Sequence, residues 1–203
     1  MGTIWDSGIY CIAIATAFTQ ALKCRNTRNC AGKALPYAAT RRHGIVLTAS
    51  YPAKRMGVKT GMPIWEAKQH CRDLIIVPAS FGKYQKYSGY VREVFNDYTD
   101  QVESFGLDEA WLDITGSVGL FGSPVKIAKE ISVRIKRELG ITVSIGVSFN
   151  KITAKLGSDY KKPDAITVIE PDTYKQIVYP LPVGDLLYVG NATQRKLGSY
   201  GIR

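Results

Sequence analysis

Acidic residues are missing from a long opening stretch: between residues 7 and 65 there is no aspartate or glutamate. Over the same stretch Lys23, Arg25, Arg28, Lys33, Arg41, Arg42, Lys54, Arg55 and Lys59 supply nine positive charges, nearly the whole formal net charge of +10. A field of one sign suits a polyanionic partner such as nucleic acid, nucleotide or an anionic membrane surface. Metal-binding side chains of the softer kind are also scarce. Cys11, Cys24, Cys30 and Cys71 show no C-x-x-C spacing, and His43 and His70 are the only histidines. That excludes the usual zinc arrangements and leaves four free thiols of a reducing compartment. A signal peptide is excluded too. Residues 8–22, GIYCIAIATAFTQAL, have the apolar core of one, but the flank MGTIWDS carries no positive charge. The run falls short of the ~20 residues of a membrane span, and Thr16, Thr19 and Gln20 interrupt it. It reads as a buried strand leading into a helix of a soluble protein.

What is present has globular proportions: 203 residues, 45% hydrophobic and 22% charged, enough for one substantial core or two small ones. GIVLTASY (44–51) has the β-branched content of a strand, and YPAKRMG and MPIWEAKQHC read as short helices, the second with Pro63 near its start. Tyr84, Tyr87, Val91, Val94, Phe95 and Tyr98 recur at three and four, which predicts a helix over 84–98. Ser123 with Pro124 starts the next helix, Ile127, Ala128, Ile131, Ile135 and Leu139 form its stripe, and Gly140 stops it. ITVSIGVS alternates Ile141, Val143, Ile145 and Val147 on one face of a strand, FNKITAKLGSDY returns to helix, and AITVIE gives a last strand. Alternating strands and helices predict an α/β (α+β) fold, a mixed sheet with helices packed on at least one face. The proline-rich EPDTYKQIVYPLPVGDLL marks a boundary, and VGNATQRKLGSYGIR opens a new unit, so the chain reads as a piece of a longer protein.

GLDEAWLDITGS (106–117) places Asp108 and Glu109 side by side in a run that otherwise reads as a buried strand. Alternation puts Asp108 with Ala110, Leu112 and Ile114, and Glu109 with Trp111 and Asp113. Buried carboxylates are costly unless paired, metal-bound or placed at a mouth. Two readings stay open on these residues alone. Either the pair sits at a strand end in water or salt bridges, or it holds Mg²⁺ at a sheet edge against substrate phosphates. Lys54, Arg55, Lys161 and Lys162 are candidate cationic partners for those phosphates.

Three segments carry a resemblance. LDEAWLDI (107–114), SYPAKRMGVKTGMPIWEAK (50–68) and SIGVSFNKITAKLGSDYKKPDAITVI (144–169) resemble, in order and spacing, motifs of the Y-family, or translesion, DNA polymerases. LPVGDLLYVGNATQRKLGSYGI is similar to that family's entry into its thumb domain and helix-hairpin-helix. The resemblance implies a polymerase palm with a mixed sheet and helices on one face (1–18 and 82–170), a small fingers subdomain (19–81) and the start of a thumb (171–203). It implies template-directed DNA synthesis past damaged bases by two-metal nucleotidyl transfer. The expected cofactor is Mg²⁺, two ions, with Mn²⁺ as a substitute. The expected partners are primer-template DNA, dNTP and a sliding clamp or other replication protein reached through regions outside this chain. The setting is cytoplasmic and nucleoid-associated in a prokaryote, nuclear in a eukaryote. Asp108 matches a metal aspartate and Glu109 its catalytic neighbour. Tyr51, Lys54 and Lys162 match residues that contact the triphosphate, although Lys54 stands where an arginine is usual and lacks its bidentate fork.

One position departs from the family. Its first metal aspartate falls, without a gap, on Ala13, the residue whose carbonyl also touches metal on Ile14, and the aromatic steric gate on Phe18. With no acid between 7 and 65, no local realignment recovers the ligand. Losing such a group costs several kcal/mol of transition-state stabilisation, and each ~1.4 kcal/mol is a decade in rate. Residues 13–40 are also less like the family than the rest. An engineered inactive variant, a natural non-catalytic relative and a sequence wrongly recorded near its start all accommodate this. A non-catalytic accessory that binds DNA or polymerase partners in damage tolerance is therefore the alternative reading. Another palm-type nucleotidyl transferase or cyclase is weaker, because it leaves the basic segment without a purpose.

Overall fold

The computed structural model describes residues 10–16, 36–38 and 44–202. In chain order its strands are β1 Cys11–Thr16, β2 Pro36–Ala38, β3 Val46–Ala49, β4 Val77–Pro78, β5 Val102–Phe105, β6 Glu109–Asp113, β7 Val143–Ser148 and β8 Ile166–Ile169. Its α-helices are α1 Tyr51–Arg55, α2 Ile64–His70, α3 Phe81–Asn96, α4 Val118–Phe121, α5 Pro124–Arg134, α6 Lys151–Tyr160, α7 Tyr174–Val178 and α8 Asn191–Gly198. The chain divides into two compact units, Met1–Thr16 with Ser88–Arg203, and Ala17–Tyr87.

The larger unit is built on a five-stranded mixed sheet ordered β5-β6-β1-β7-β8. The central strand β1 runs antiparallel to both β6 and β7, and β7 pairs with β8 in parallel. The parallel pair is the one joined by a helix, α6, as a crossover requires. All six residues of β7 are buried, so cover extends to both faces of that strand and not only to the alternating Val143, Ile145 and Val147. Helices α5 and α6 both pack on β7. Ser123 caps α5 by accepting from Lys126 N at 3.3 Å, with Pro124 at its first position. Ile127, Ala128, Ile131 and Ile135 are fully buried. The helical path continues past Arg134 as a π-helical turn, Ile135–Leu139, before Gly140. Asn150 caps α6 by accepting from Thr153 N at 2.9 Å.

Gly146 fixes how closely α6 lies on the sheet. A Cβ built there would stand 1.8 Å from Ala154 O and 2.5 Å from Ser158 N, so helix backbone rests directly on strand backbone. No other residue type fits without moving the helix. This contact places the α6 side chains beside the end of β6.

The smaller unit has a three-stranded sheet ordered β3-β2-β4 and its own core of Val46, Ala49, Ala53, Val58, Ile64, Ala67, Cys71 and Leu74. Strand β3 falls inside the predicted 44–51, and α1 and α2 occupy the two predicted helical segments. Among the described residues no helix is long and apolar enough to cross a membrane.

Candidate active site

Strands β5 and β6 form an antiparallel hairpin in which Phe105 stands across from Glu109. Its turn uses Gly106, Leu107 and Asp108. Gly106 has φ 74°, a left-handed conformation that glycine adopts without the Cβ penalty. Arg92 Nη2 holds the turn to α3 by donating to Gly106 O at 3.3 Å. Because the turn takes three residues, the strand begins at Glu109. Asp108 therefore does not share a strand face with Ala110, Leu112 and Ile114, as alternation predicted; it stands exposed at the hairpin end. Glu109 is the first residue of β6, on the face shared by Trp111 and Asp113. The Asp113 carboxylate is engaged locally, its Oδ1 accepting from Thr115 N at 2.9 Å.

The two acids sit in different electrostatic settings. Burial pushes the Asp108 carboxyl above its usual range and the charge of Glu109 adds to the rise, while its own backbone, Lys162 and Lys155 draw it down without prevailing. The residue as a whole is exposed at the hairpin end, while the protein atoms around its carboxyl desolvate that group. Glu109 is held by a lysine: Lys155 Nζ lies 2.9 Å from its Oε1. Lys155 is 8% exposed and also donates to Asp159 Oδ2 at 2.7 Å, while Lys162 Nζ lies 2.5 Å from Asp159 Oδ1. Glu109, Lys155, Asp159 and Lys162 thus alternate in sign along one chain of contacts. Burial alone would lower the Lys155 ammonium, but hydrogen bonds to Asp159 and Glu109 outweigh it and raise the group. Burial would likewise raise Asp159, yet hydrogen bonds from Lys155 and Lys162 hold it below the usual carboxylate range.

Lys155 and Asp159 were not singled out from the sequence. Their spacing of four on one helix was a visible signal for a pair. Their link to Glu109 spans 46 residues and had none.

The central strand supplies no acid. Ala15 stands across from Glu109, and Ala13 one pair further along, across from Trp111 and Gly146. Ala13 is 1% exposed and packs with Cys11, Trp111 and Ala154. Ile14 is in the ladder between Ala110 and Ile145, on the opposite face. Phe18 lies outside the described residues.

Tyr51 and Lys54 belong to the smaller unit. Ser50 caps α1 by accepting from Ala53 N at 3.4 Å, and Lys54 Nζ stands 5.3 Å from the centre of the Tyr51 ring, a cation held over an aromatic face. Burial raises the Tyr51 hydroxyl pKa. Lys54 and Arg55 are exposed.

Oxygen donors for a hard divalent cation come from Asp108 and Glu109. Mg²⁺ is commonly held by one or two carboxylates, with water and substrate phosphates completing its shell. By residue type the pair offers donors for one such ion, although Glu109 Oε1 is already engaged by Lys155. A bridged pair of ions needs a further acid, and the neighbouring β1 positions are Ala13 and Ala15. Among the described residues no group of three or more His, Cys, Asp and Glu is placed to hold a metal. A cavity of about 1030 Å³ opens elsewhere on the larger unit, lined among others by Cys11, Phe105, Trp111, Lys151 and Tyr188. Neither Asp108 nor Glu109 lines it. Three of its polar lining residues engage one another, with Trp111 Nε1 donating to Lys151 O at 3.0 Å and Lys151 paired with Glu103.

The profile of the impB/mucB/samB family matches residues 15–159. DNA polymerase IV of Acetivibrio thermocellus is 56% identical over 161 residues, 79% of this chain and 40% of that protein. DNA polymerase IV of Gluconobacter oxydans is 39% identical over 186 residues, 92% of this chain and 52% of that protein. The chain spans about half the length of the curated relatives it matches. Among solved structures, DinB from Sulfolobus solfataricus superposes with a TM-score of 0.87 at 31% identity, covering 96% of this chain and 58% of that one. The insertion ternary complex of Dbh DNA polymerase gives a TM-score of 0.87 at 32% identity over the same shares.

Proposed function

The chain belongs to the impB/mucB/samB family, among the Y-family DNA polymerases, and on that premise we propose that it contributes the palm and fingers of a template-directed polymerase that copies past damaged bases. Residues 1–18 and 82–170 form the palm, 19–81 the fingers, and 171–203 the beginning of a thumb. The observation that carries this reading is the Asp108–Glu109 pair at the open end of β6, with Lys162 close enough to act on the charge of Asp108.

In this reading Asp108 and Glu109 hold a Mg²⁺ or Mn²⁺ ion. Such an ion lowers the pKa of an attacking primer hydroxyl and offsets charge on the triphosphate. The remaining work falls to the chain itself. Tyr51, Lys54 and Lys162 bind and orient the triphosphate of a dNTP, with Lys54 a point charge and not a fork. Phe18 gates the sugar. The basic stretch before residue 65 draws in primer-template DNA, and the thumb grips its backbone without reading sequence. The backbone carbonyl of Ile14, on the strand next to β6, is a further donor to the divalent ion. The two-metal form of the reaction asks for a bridging carboxylate that Ala13 does not supply, so synthesis by this chain is slow. In a bacterium like those of its curated relatives, the setting is the cytoplasm.

The Ala13 position and the Lys155 contact on Glu109 favour one second reading, a polymerase-like accessory that binds DNA without synthesis. Glu109→Ala separates the two. The polymerase reading expects primer extension to vanish while primer-template binding, followed by fluorescence anisotropy, changes less than about two-fold because phosphate contacts dominate it. Equal extension with and without the glutamate removes Glu109 from the chemistry.

A further inference from the structure

Lys155 is a buried lysine whose ammonium touches two carboxylates, Glu109 at 2.9 Å and Asp159 at 2.7 Å. The first of these is a proposed cation ligand. The second is shared with Lys162, a proposed triphosphate contact, at 2.5 Å. Resting on the function proposed above, we propose that Lys155 is a positioning residue: a built-in cation that competes with a divalent ion for Glu109 and is drawn away when Asp159 is freed from Lys162.

Geometry supplies the competition. Lys155 sits four residues before Asp159 on α6, and α6 is pinned to the sheet at Gly146 by direct backbone contact. The ammonium therefore cannot leave by moving the helix; it can only redistribute between its two acids. While Lys162 occupies one oxygen of Asp159, Lys155 divides its hydrogen bonds between Asp159 and Glu109. When Lys162 turns to a triphosphate, both oxygens of Asp159 are open to Lys155, and the hold on Glu109 loosens. Nucleotide and cation then favour one another, and by linkage the effect is mutual. In a site short of one carboxylate, a fixed ammonium also offsets the charge of Glu109 before substrate arrives.

The test is Mn²⁺ binding to the whole chain without nucleotide or DNA, read as the electron paramagnetic resonance signal of free Mn²⁺. Lys155→Met should tighten binding about ten-fold, within the usual range of coupling between sites. Asp159→Asn leaves Glu109 as the sole acid for Lys155 and should weaken binding by a similar factor. Lys126→Met removes the same charge from α5, where its partner is Glu130, and should change binding less than about two-fold, since an exposed distant charge is screened. Should Lys155→Met fold poorly, Asp159→Asn, whose side chain is partly exposed, carries the test alone. If Glu109→Gln abolishes Mn²⁺ binding but Lys155→Met and Asp159→Asn leave it unchanged, the competition is refuted and the carboxylate site stands. If Glu109→Gln has no effect, both fall together.

Discussion

Replacing Gly146 by alanine adds one methyl group at the tightest backbone contact described between helix and sheet. The new Cβ would lie 1.8 Å from Ala154 O, with Ala154 C at 2.9 Å and Ser158 N at 2.5 Å. An ordinary contact needs about 3.4 Å, so α6 must withdraw by roughly 1.6 Å, the difference of the two distances. The obstacle is backbone, which has no rotamer to absorb the clash. Overpacking of this kind costs about 1–3 kcal/mol, and a rigid obstacle puts the expected loss near the upper end, about 3 kcal/mol. The withdrawal would also stretch Lys155 away from Glu109, since Lys155 follows Ala154 directly. Urea unfolding followed by far-ultraviolet circular dichroism measures the loss as a shift in midpoint at unchanged slope. A loss below about 0.5 kcal/mol, the size expected of an indifferent surface change, would refute the close packing of α6 on β7 and with it the placement of Lys155.

Two more predictions follow from charge and backbone. The Asp108 carboxyl is raised in the folded protein by burial first and Glu109 second. The folded state thus binds this proton more tightly than the unfolded chain, and stability falls as pH rises from the ordinary carboxylate pKa through the raised one. Asp108→Asn should therefore be more stable than the parent at neutral pH, with the gap closing below the ordinary carboxylate pKa. A gap that persists or widens in acid contradicts the assignment. Tyr188 has φ 68° and is 78% exposed, so its left-handed backbone is strained while its ring gains little beyond an edge contact with Phe105. Tyr188→Gly should stabilise by up to about 1 kcal/mol, checked by thermal melting; a clear destabilisation would mean the ring carries packing that its exposure hides.

The elements that announced themselves in sequence did so through local chemistry. Ser123, Pro124 and Gly140 bracket a helical stretch because a cap, a preset φ and a stop each act within one turn. The segment FNKITAKLGSDY reads as helix, but its cap, Asn150, is visible only in the structure. Strand β7 was legible from its β-branched residues, but its burial on both faces was not, since Ser144, Gly146 and Ser148 look polar until α6 covers them. Strand β5 went unseen because its four residues, Val102–Phe105, include exposed Glu103 and Ser104 and carry no apolar alternation. Short β2 is defined by pairing with β3 and β4, which no local pattern encodes. At the candidate site the adjacent acids could be read directly. Their division into an exposed Asp108 and a lysine-bound Glu109 could not, because it depends on where the turn ends and on a helix 46 residues away.

The central claim is that this chain has a nucleotidyl-transfer site lacking one carboxylate. Single-nucleotide primer extension, compared between the parent and Ala13→Asp with Mg²⁺, tests it most directly. A buried aspartate beside Trp111 and Ala154 is costly unless a cation pairs with it, so a gain in rate can come only through the site. The expected result is slow parent synthesis and an increase of about a hundred-fold or more in the variant, equivalent to ~2.7 kcal/mol of restored stabilisation. Equal rates in the two proteins, with primer-template binding intact in both, would contradict it.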